Sequence, residues 1–399
     1  MHVVIVAPVV TPFDGMGSIN YYTVERALAR GHRVTLVTEA VHDDLVGRAG
    51  VTWIPIRVKH LPTDFVRSLT FSLVASRWIT RHRRDIDVLH VNGSTTFVPA
   101  DVNSSHFVYA EWLASDDLKT SALGPRTLYY RFLAWVHAIL ERRAYRSAEV
   151  CVAVSESVRA ELVRIGVPPE RIIVIENGID LVRFRPLPRN RERFGLPSDV
   201  PLASFAGDLV STRKNLDGVF DLLEDVPDLH LAVAGYLDGS PYPAIARDRG
   251  LSERVHFLGY CADMPQLLAS TDFFIFFSHY EPFGLVILES MASGIPVVTS
   301  QNVGASAVVP DGAGVVLPAR PARRLVAETV RGLLRDPERR RAMGACGVRA
   351  AARYSFEAMA DRYVDLYEAA TPSAERIVDA CSQQMRSRVR SMDRSVEPY

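Results

Sequence analysis

The sequence of 399 residues lacks an excess of charge of either sign, because 46 lysines and arginines balance 46 aspartates and glutamates. Zero net charge argues against a general nucleic-acid-binding protein, whose surface would be basic. Cysteines are few, and the four at positions 151, 261, 346 and 381 lack the spacing of metal ligands. A chain of this length does not need disulfides, so the sparse cysteines favour a reducing compartment, and we expect the protein in the cytoplasm.

Long apolar runs are also missing. The apolar opening, residues 3–10, is too short for a transmembrane helix, contains a proline and lacks a basic leader, so it predicts a buried strand. No later stretch is predicted to span a bilayer. Any contact with a membrane is therefore expected to be peripheral, at the inner face.

What the sequence contains instead is an alternation of short apolar runs with longer helical patterns, which is typical of parallel α/β sheets. Strands are predicted at 3–7, 33–38, 87–92, 150–154, 172–175, 202–206, 230–234, 255–258, 273–277 and 296–299, and helices at 20–30, 126–147 and 355–370. The length and a proline-rich break at 183–201 predict two Rossmann-like domains, 1–185 and 186–354. A polar, arginine-rich tail at 373–399 is expected to be disordered at its end.

The most informative segment is 279–298, where Glu281 and Glu289 bracket a Pro-Phe-Gly turn and the first turn of a helix. Glu289 stands among apolar residues, so its carboxylate would be costly to bury unless ligand hydroxyl groups met it. The helix start after Gly284 offers free backbone N–H groups to an anion. A capped amphipathic helix with one acid at its rim explains the same pattern without a ligand.

Other loops with suggestive residues follow predicted strands, whose carboxyl ends would face a central cleft between the two sheets. Gly15 and Gly17 follow the first strand, but Asn20 breaks the dinucleotide-binding fingerprint and removes the main support for a nicotinamide cofactor. Arg213 and Lys214 would place two positive charges where a diphosphate could be neutralised. Gly235 and Tyr260 stand at two further strand ends. Each of these loops, taken alone, fits an ordinary turn.

In their order along the chain, these motifs resemble the family 4 glycosyltransferases of GT-B fold. The resemblance runs from about Val3 to Tyr367, and its most specific part is the Glu-x7-Glu segment. The residues that carry it are Gly15 and Gly17, Gly31-His32, Glu176-Asn177-Gly178-Ile179-Asp180, Arg213-Lys214-Asn215, Phe257-Leu258-Gly259-Tyr260, and Glu281-Pro282-Phe283-Gly284 with Glu289. It also implies that a helix at about 355–372 crosses back onto the first domain.

The resemblance implies a retaining, metal-independent transfer of a sugar from a nucleoside diphosphate sugar, without a cofactor. Glu289 would hold the ribose hydroxyls, Glu281 the donor sugar, and Lys214 the charge of the departing diphosphate, with Arg213 beside it. The remaining donor-binding positions implied are the backbone of Phe283, Gly284 and Leu285, the strand ends at Gly235 and Tyr260, and Gly15 with Gly17 from the first domain. A uridine donor is favoured over guanosine because it is the commoner class in the family.

Two departures from the family pattern stand out. Asp208 replaces the usual arginine after Gly207, so this acid must point away, pair with a cation, or mark altered donor use. Glu176 replaces a usual proline, at a position before the turn. Asp208 is also the only support in the sequence for a non-catalytic binding protein of sugar nucleotides or glycans. A sugar-nucleotide epimerase on the same fold is the other alternative.

The first domain is harder to interpret. His106 loosely matches the family's histidine near the donor sugar and is the third catalytic candidate, with His90 and Asn92, at the end of another strand, as its competitors. Asp85 and Asp87 form a D-x-D pattern, but they stand at the entrance of a predicted strand, the wrong end for a metal site. The aromatic and basic stretch at 128–136 is interpreted as packing against the sheet, in preference to a membrane-surface helix. The acceptor stays open between a glycan, a lipid-linked sugar and a small molecule.

Overall fold

The computed structural model describes residues 1–13, 15–115 and 125–370. The described chain forms two compact units. The first comprises Met1–Ala110, Leu128–Glu176 and the segment from Glu357, and the second comprises Glu111–Thr127 and Asn177–Phe356. The predicted tail at 373–399 lies outside the described residues.

The first unit is built on a sheet of seven parallel strands. In chain order the strands of this unit are β1 (His2–Val6), β2 (Val9–Val10), β3 (Arg33–Thr38), β4 (Ala40–Val41), β5 (Val51–Pro55), β6 (Val88–Asn92), β7 (Val102–Ser105), β8 (Val150–Ala153) and β9 (Ile172–Val174). The sheet order is β5-β3-β1-β6-β7-β8-β9, and β2 pairs with β4 separately. Val3 to Val6 of β1 are fully buried, as expected for a central strand covered on both faces.

Five α-helices precede β9 in the described part of the chain. They are α1 (Gly15–Ala29), α2 (Asp64–His82), α3 (Tyr109–Ala114), α4 (Pro125–Ser147) and α5 (Glu156–Arg164). Thr63 caps α2 by accepting a hydrogen bond from the Val66 N–H, and Ser155 caps α5 in the same way through Val158. The helix predicted at 20–30 in fact begins at Gly15, so part of the predicted loop is helical.

The second unit repeats the architecture with a six-stranded parallel sheet. Its strands are β10 (Leu202–Ala206), β11 (His230–Ala234), β12 (Val255–Gly259), β13 (Phe273–Phe276), β14 (Val297–Ser300) and β15 (Gly314–Leu317), in the order β12-β11-β10-β13-β14-β15. Its helices are α6 (Leu216–Asp225), α7 (Tyr242–Asp248), α8 (Met264–Ala269), α9 (Leu285–Ala292), α10 (Arg323–Arg335) and α11 (Pro337–Ala351). Because β10 lies between β11 and β13, the loops after β10 and β13 start side by side.

The last helix of the described chain, α12 (Phe356–Ala370), packs on the first unit through buried aromatic side chains. The Tyr367 hydroxyl lies 2.6 Å from Nδ1 of His90, and the Ser104 hydroxyl donates to the Tyr363 hydroxyl at 3.3 Å. At its surface, Arg362 donates to a Glu176 carboxylate oxygen at 2.7 Å. Glu176, one of the two departures from the family pattern, thus forms an ion pair with this helix.

One strand that the sequence did not predict is β7, because its residues after Val102 are polar. Asn103 Oδ1 accepts a hydrogen bond from the Gly93 N–H at 2.9 Å, and Ser104 Oγ lies 2.7 Å from Nε2 of His90. These partners allow polar side chains to be buried in a sheet.

The interpretation of 128–136 as a stretch packed on the sheet is wrong for several of its largest side chains. Leu128, Phe132 and Trp135 of α4 are all exposed, as is Ile139 further along the helix. None of the helices in the described parts of the chain is both long enough and apolar enough to cross a membrane.

Candidate active site

The candidate site of the second unit lies where two neighbouring loops leave the carboxyl ends of β10 and β13. Hydrogen bonds tie these loops together. The buried Ser278 hydroxyl donates to the Arg213 carbonyl at 2.9 Å and lies 3.0 Å from the Tyr280 carbonyl. Asn215 Nδ2 donates to the Phe277 carbonyl at 3.0 Å. The basic loop and the Glu-x7-Glu segment are therefore held in one place.

Three charged side chains of these loops meet. Lys214 forms an ion pair with Glu281, and the side chains of the two are only 13% and 12% exposed. Arg213 Nη1 lies 3.6 Å from the same carboxylate oxygen of Glu281 and donates to the Tyr280 carbonyl at 3.1 Å. Burial lowers the pKa of Lys214, Glu281 opposes that shift and Arg213 adds to it. Two cations around one anion leave a net positive charge that suits a further anionic group.

Helix α9 begins beside this cluster. Gly284, its N-cap, has φ +94°, and a Cβ there would lie 3.2 Å from Glu281 Cγ and 3.0 Å from Val303 Cγ1. Two backbone hydrogen bonds from a neighbouring loop fix the turn. The Gly304 N–H donates to the Glu281 carbonyl at 2.8 Å, and the Ala305 N–H donates to the Phe283 carbonyl at 2.7 Å. The first N–H groups of α9 have no partner within the helix, so an anion near Glu281 would meet them.

Glu289 is in the environment that the sequence predicted. It lies in the second turn of α9, and burial raises its pKa to about 7, with Arg183 opposing the shift. None of the described residues donates a hydrogen bond to its carboxylate. An acid in this state would gain from hydroxyl donors supplied by a ligand.

Asp208 is turned onto its own loop. One carboxylate oxygen accepts the Val210 N–H at 2.9 Å and the other accepts the Ser211 hydroxyl at 2.7 Å. Its charge also raises the pKa of Lys214. Donors of its own loop therefore bind both carboxylate oxygens of Asp208, an arrangement that the sequence did not predict.

Close backbone packing explains why glycine stands at one of these strand ends. The Gly207 N–H donates to the Ala234 carbonyl at 3.1 Å, and the Gly235 N–H donates to the Gly259 carbonyl at 2.9 Å. A Cβ on Gly235 would lie 2.3 Å from the Gly207 carbonyl oxygen, so no other residue fits. This requirement accounts for Gly235 without a ligand.

An exposed aromatic pair follows these glycines. The rings of Tyr236 and Tyr260 stack with centroids 5.0 Å apart, and they are 67% and 60% exposed. The sequence pattern singled out Tyr260 but assigned no role to Tyr236. The signal that could have found it is the repeated glycine-tyrosine ending of two adjacent strands.

Gly15, Gly17 and His106 belong to the first unit. Both glycines lie in the first turn of α1 rather than in a loop, and the Gly15 carbonyl accepts the Ser18 hydroxyl at 2.9 Å. They thus stand at a helix N-terminus, the end at which the helix dipole favours an anion.

His106 directly follows β7 and is held by a hydrogen-bonded chain. Its Nε2 lies 3.1 Å from Asn92 Oδ1, and Asn92 in turn donates to Asn20 Oδ1 at 3.2 Å. Burial lowers the pKa of His106 to about 4, so the ring is neutral near pH 7.

His90, one of the two competitors, is enclosed in the core. Both ring nitrogens are engaged, by Ser104 and Tyr367, and burial lowers its pKa to about 3. It therefore has a structural role, and His106 stays the better candidate.

Two residues that position the site were given no role by the sequence pattern. Asn215 has φ +57°, caps α6 by accepting the Gly218 N–H and joins the two loops. Ser278 joins them from the other side. An asparagine directly before a helical pattern is a recognisable cap signal, whereas Ser278 has no signal in sequence.

The rejected D-x-D pattern lies at the entrance of β6, where an Asp87 carboxylate oxygen accepts the His2 N–H at 2.6 Å. Within the described ranges, no group of three or more His, Cys, Asp or Glu side chains is placed to hold a metal ion.

Comparison with known proteins matches both units of the chain to family models. Residues 13–183 match the model described as "Glycosyltransferase Family 4", and residues 188–348 match "Glycosyl transferases group 1". Together the two matches cover most of the chain. The chain belongs to the family 4 glycosyltransferases.

Relatives and solved structures agree with this membership. A D-inositol 3-phosphate glycosyltransferase of Thermobispora bispora is 32% identical over 228 residues, which are 53% of each chain. The chain thus spans about half the length of this curated relative. WaaG, a glycosyltransferase involved in lipopolysaccharide biosynthesis, is 21% identical with a TM-score of 0.75, over 92% of this chain and 99% of that one. Anabaena Alr3699/HepE, solved with UDP-glucose, is 18% identical with a TM-score of 0.67, over 92% and 98%. The structural likeness confirms the predicted class, two α/β units with parallel sheets of GT-B type.

Proposed function

We propose that this family 4 glycosyltransferase transfers a sugar from a nucleoside diphosphate sugar to an acceptor hydroxyl. The observation that carries the proposal is the cluster of Lys214, Arg213 and Glu281 beside the N-terminus of α9. Its net positive charge and the adjacent N–H groups suit a diphosphate.

Each part of the donor has a partner in the proposal. The Glu289 carboxylate accepts hydrogen bonds from the ribose hydroxyls, which supply the donors that the described residues do not provide. Glu281 fixes the hydroxyls of the donor sugar, with the backbone of Phe283, Gly284 and Leu285 against the sugar and the phosphates. Gly235 and Tyr260 lie on the side of the base, and Gly15 and Gly17 of the first unit approach the diphosphate.

The proposed reaction is metal-independent and retaining. Lys214 and Arg213 stabilise the charge that develops on the departing diphosphate, the role that a metal ion fills in other transferases. The departing phosphate accepts the proton of the acceptor hydroxyl on the face where the new bond forms, so no protein nucleophile is needed. His106 is the proposed first-unit contact to the donor sugar, as a neutral hydrogen-bonding group.

We infer a uridine diphosphate donor in preference to a guanosine one, which the UDP-glucose complex of HepE supports. The acceptor is a sugar, a lipid-linked sugar or a small molecule. The name of the Thermobispora relative supports including a phosphorylated cyclitol among the small molecules. Peripheral contact with a membrane would involve other residues, on the first unit, and is a separate proposal.

The deciding experiment measures nucleoside diphosphate release from UDP-, GDP- and ADP-sugars, with a chelator present, with and without acceptor pools. Release from one donor that rises with an acceptor and survives chelation supports the transferase and identifies the base. Release without any acceptor dependence, with an altered sugar nucleotide as product, would support the epimerase instead. Binding without turnover of any donor would support a non-catalytic protein.

Retention is tested on the product of that reaction. We expect the new glycosidic bond to have the anomeric configuration of the donor, read from the coupling constant of the anomeric proton. An inverted product would refute the proposed same-face mechanism but not the donor site.

A further inference from the structure

Helix α4 presents apolar side chains to solvent where a helix on a protein surface normally carries polar ones. Leu128, Phe132, Trp135 and Ile139 are 55%, 50%, 56% and 51% exposed. At 3.6 residues per turn, the four positions fall within about 60° of one another around the helix axis. They form one continuous stripe, which is called the apolar stripe below.

The opposite side of α4 faces the core. Ala134 and Tyr145 are each 1% exposed, and so is Glu141, whose carboxylate accepts the N–H groups of Tyr109 and Ala110 at 3.0 and 2.9 Å. The helix is therefore already anchored on its own unit. Phe132 of the stripe also lies beside Phe65 of α2, with ring centroids 6.0 Å apart, but half of its surface stays exposed. Exposed apolar patches of this kind mark interaction surfaces.

The exposed charges that α4 itself contributes beside the stripe are of one sign. Arg142, Arg143 and Arg146 are exposed and continue the same face toward the end of α4, while Arg131 flanks the stripe. The only acid within α4 is the buried Glu141. The chain as a whole is electrically neutral, so this face concentrates positive charge locally.

We propose that this face of α4 docks the first unit on the surface of an anionic lipid bilayer. The apolar stripe, with its tryptophan and phenylalanine, would enter the boundary between headgroups and acyl chains, and the arginines would meet lipid phosphates. No described helix could span a bilayer, so α4 lies along the surface.

A lipid surface explains the face better than a second copy of the chain does. In a symmetric dimer the same surface contacts itself, so the arginines of one copy would approach those of the other. Lipid phosphates supply the missing negative charge. The docking does not depend on the charged cluster of the proposed donor site, since Arg213, Lys214 and Glu281 belong to the other unit.

The first test is sedimentation of the full chain with phosphatidylcholine vesicles that contain or lack phosphatidylglycerol. We expect binding to the anionic vesicles and release at about 1 M salt, where the Debye length is about 3 Å. Equal binding to both vesicle types, or no binding to either, would overturn the proposal.

Variants separate the two contributions to binding. Phe132→Ser/Trp135→Ser is expected to weaken partition into anionic vesicles by at least about tenfold, because it removes the two largest inserted side chains. The control is Val163→Ser/Leu325→Ser, which alters two other exposed apolar residues on helices.

Arg142→Glu/Arg143→Glu is expected to weaken partition by about thirtyfold or more, at roughly fivefold for each charge lost. Arg324→Glu/Arg341→Glu is its control.

The environment of Trp135 gives a readout that does not depend on sedimentation. Its fluorescence is expected to shift to the blue and to be quenched by bromine-labelled acyl chains, and Trp135→Phe should bind vesicles without that quenching. Circular dichroism and thermal unfolding establish that the variants fold. A dimer in the absence of lipid, abolished by Phe132→Ser/Trp135→Ser in analytical ultracentrifugation, would assign the face to a second copy and refute the lipid proposal.

Discussion

At the scale of single residues, the candidate site contains two kinds of half-buried acid. Glu281 is paired with Lys214, whereas Glu289 has no hydrogen-bond donor among the described residues. A paired buried charge depends on its partner, and an unpaired one depends on its protonation state. The two glutamates of one motif should therefore respond differently to mutation and to pH.

The ion pair predicts a strong coupling between its members. Lys214→Met and Glu281→Gln should each lower the free energy of unfolding by about 3 kcal/mol, because each removes the main partner of a largely buried charge. The double variant should cost clearly less than the sum of the two. Urea unfolding of the four proteins measures this, with the exposed Arg324→Met as a control that changes almost nothing. All three site variants should lose most donor turnover, and near-normal turnover in any of them would remove that residue from the mechanism.

Glu289 predicts a pH dependence of nucleotide binding. Its pKa of about 7 means that the carboxylate becomes mostly ionised between about pH 6 and pH 8, so UDP affinity should rise about tenfold over that range. Titration calorimetry of the wild type and Glu289→Gln measures this, because the variant retains only the titration of UDP itself. The same pH profile in both proteins would argue against a contact between Glu289 and the nucleotide.

The effect of Glu289 on folding stability is opposite to its effect on UDP affinity: the affinity rises with pH, whereas the free energy of unfolding falls. The folded protein holds this proton more tightly than the unfolded chain, whose pKa is near 4.5. Stability without ligand should therefore fall as pH rises from about 4.5 through 7, by up to about 3 kcal/mol, and Glu289→Gln should lack that contribution.

At the scale of elements, α9 was predictable and its surroundings were not. Gly284 and Gly294 bound the apolar run in the sequence, so the helix could be placed from local signals. The contact between Gly284 and Val303 comes from a loop after another strand, and no local pattern indicates it. The polar strand β7 was missed for the same reason, because its buried partners are distant in sequence.

The start of α9 predicts that Gly284→Ala is more harmful than an ordinary glycine substitution. The positive φ strains alanine, and its Cβ would also crowd Val303 and Glu281. Gly312→Ala is the matched control, since Gly312 has φ +85° and nothing within 4 Å of its would-be Cβ. We expect Gly284→Ala to cost about 1–3 kcal/mol more than the control in urea unfolding and to weaken UDP binding. Equal losses of unfolding free energy in the two variants would show that Val303 and Glu281 move aside at little cost.

At the scale of the whole molecule, two histidines of the first unit whose pKa is lowered by desolvation predict sensitivity to acid. The pKa of His106 is lowered to about 4, so the folded protein binds this proton at a lower pH than the unfolded chain does. The stability that depends on neutral His106 is complete above about pH 6.5 and is lost as pH falls toward 4, by about 3 kcal/mol. His106→Gln should reduce this loss in denaturant unfolding, and the exposed His60→Gln should not. An unchanged acid profile in His106→Gln would place the titration elsewhere, with His90 the next candidate.

Local and periodic signals in the sequence were sufficient for the fold class, most strands and the motif that carries the proposed chemistry. They suffice because parallel sheets need buried apolar runs, and because turns and caps need particular residues. The packing of the chain decided the rest. It turned Asp208 onto its loop, paired Lys214 with Glu281 and enclosed His90 while leaving His106 partly exposed. It also exposed the apolar stripe of α4, because which face of a helix is covered depends on neighbours far away in the chain.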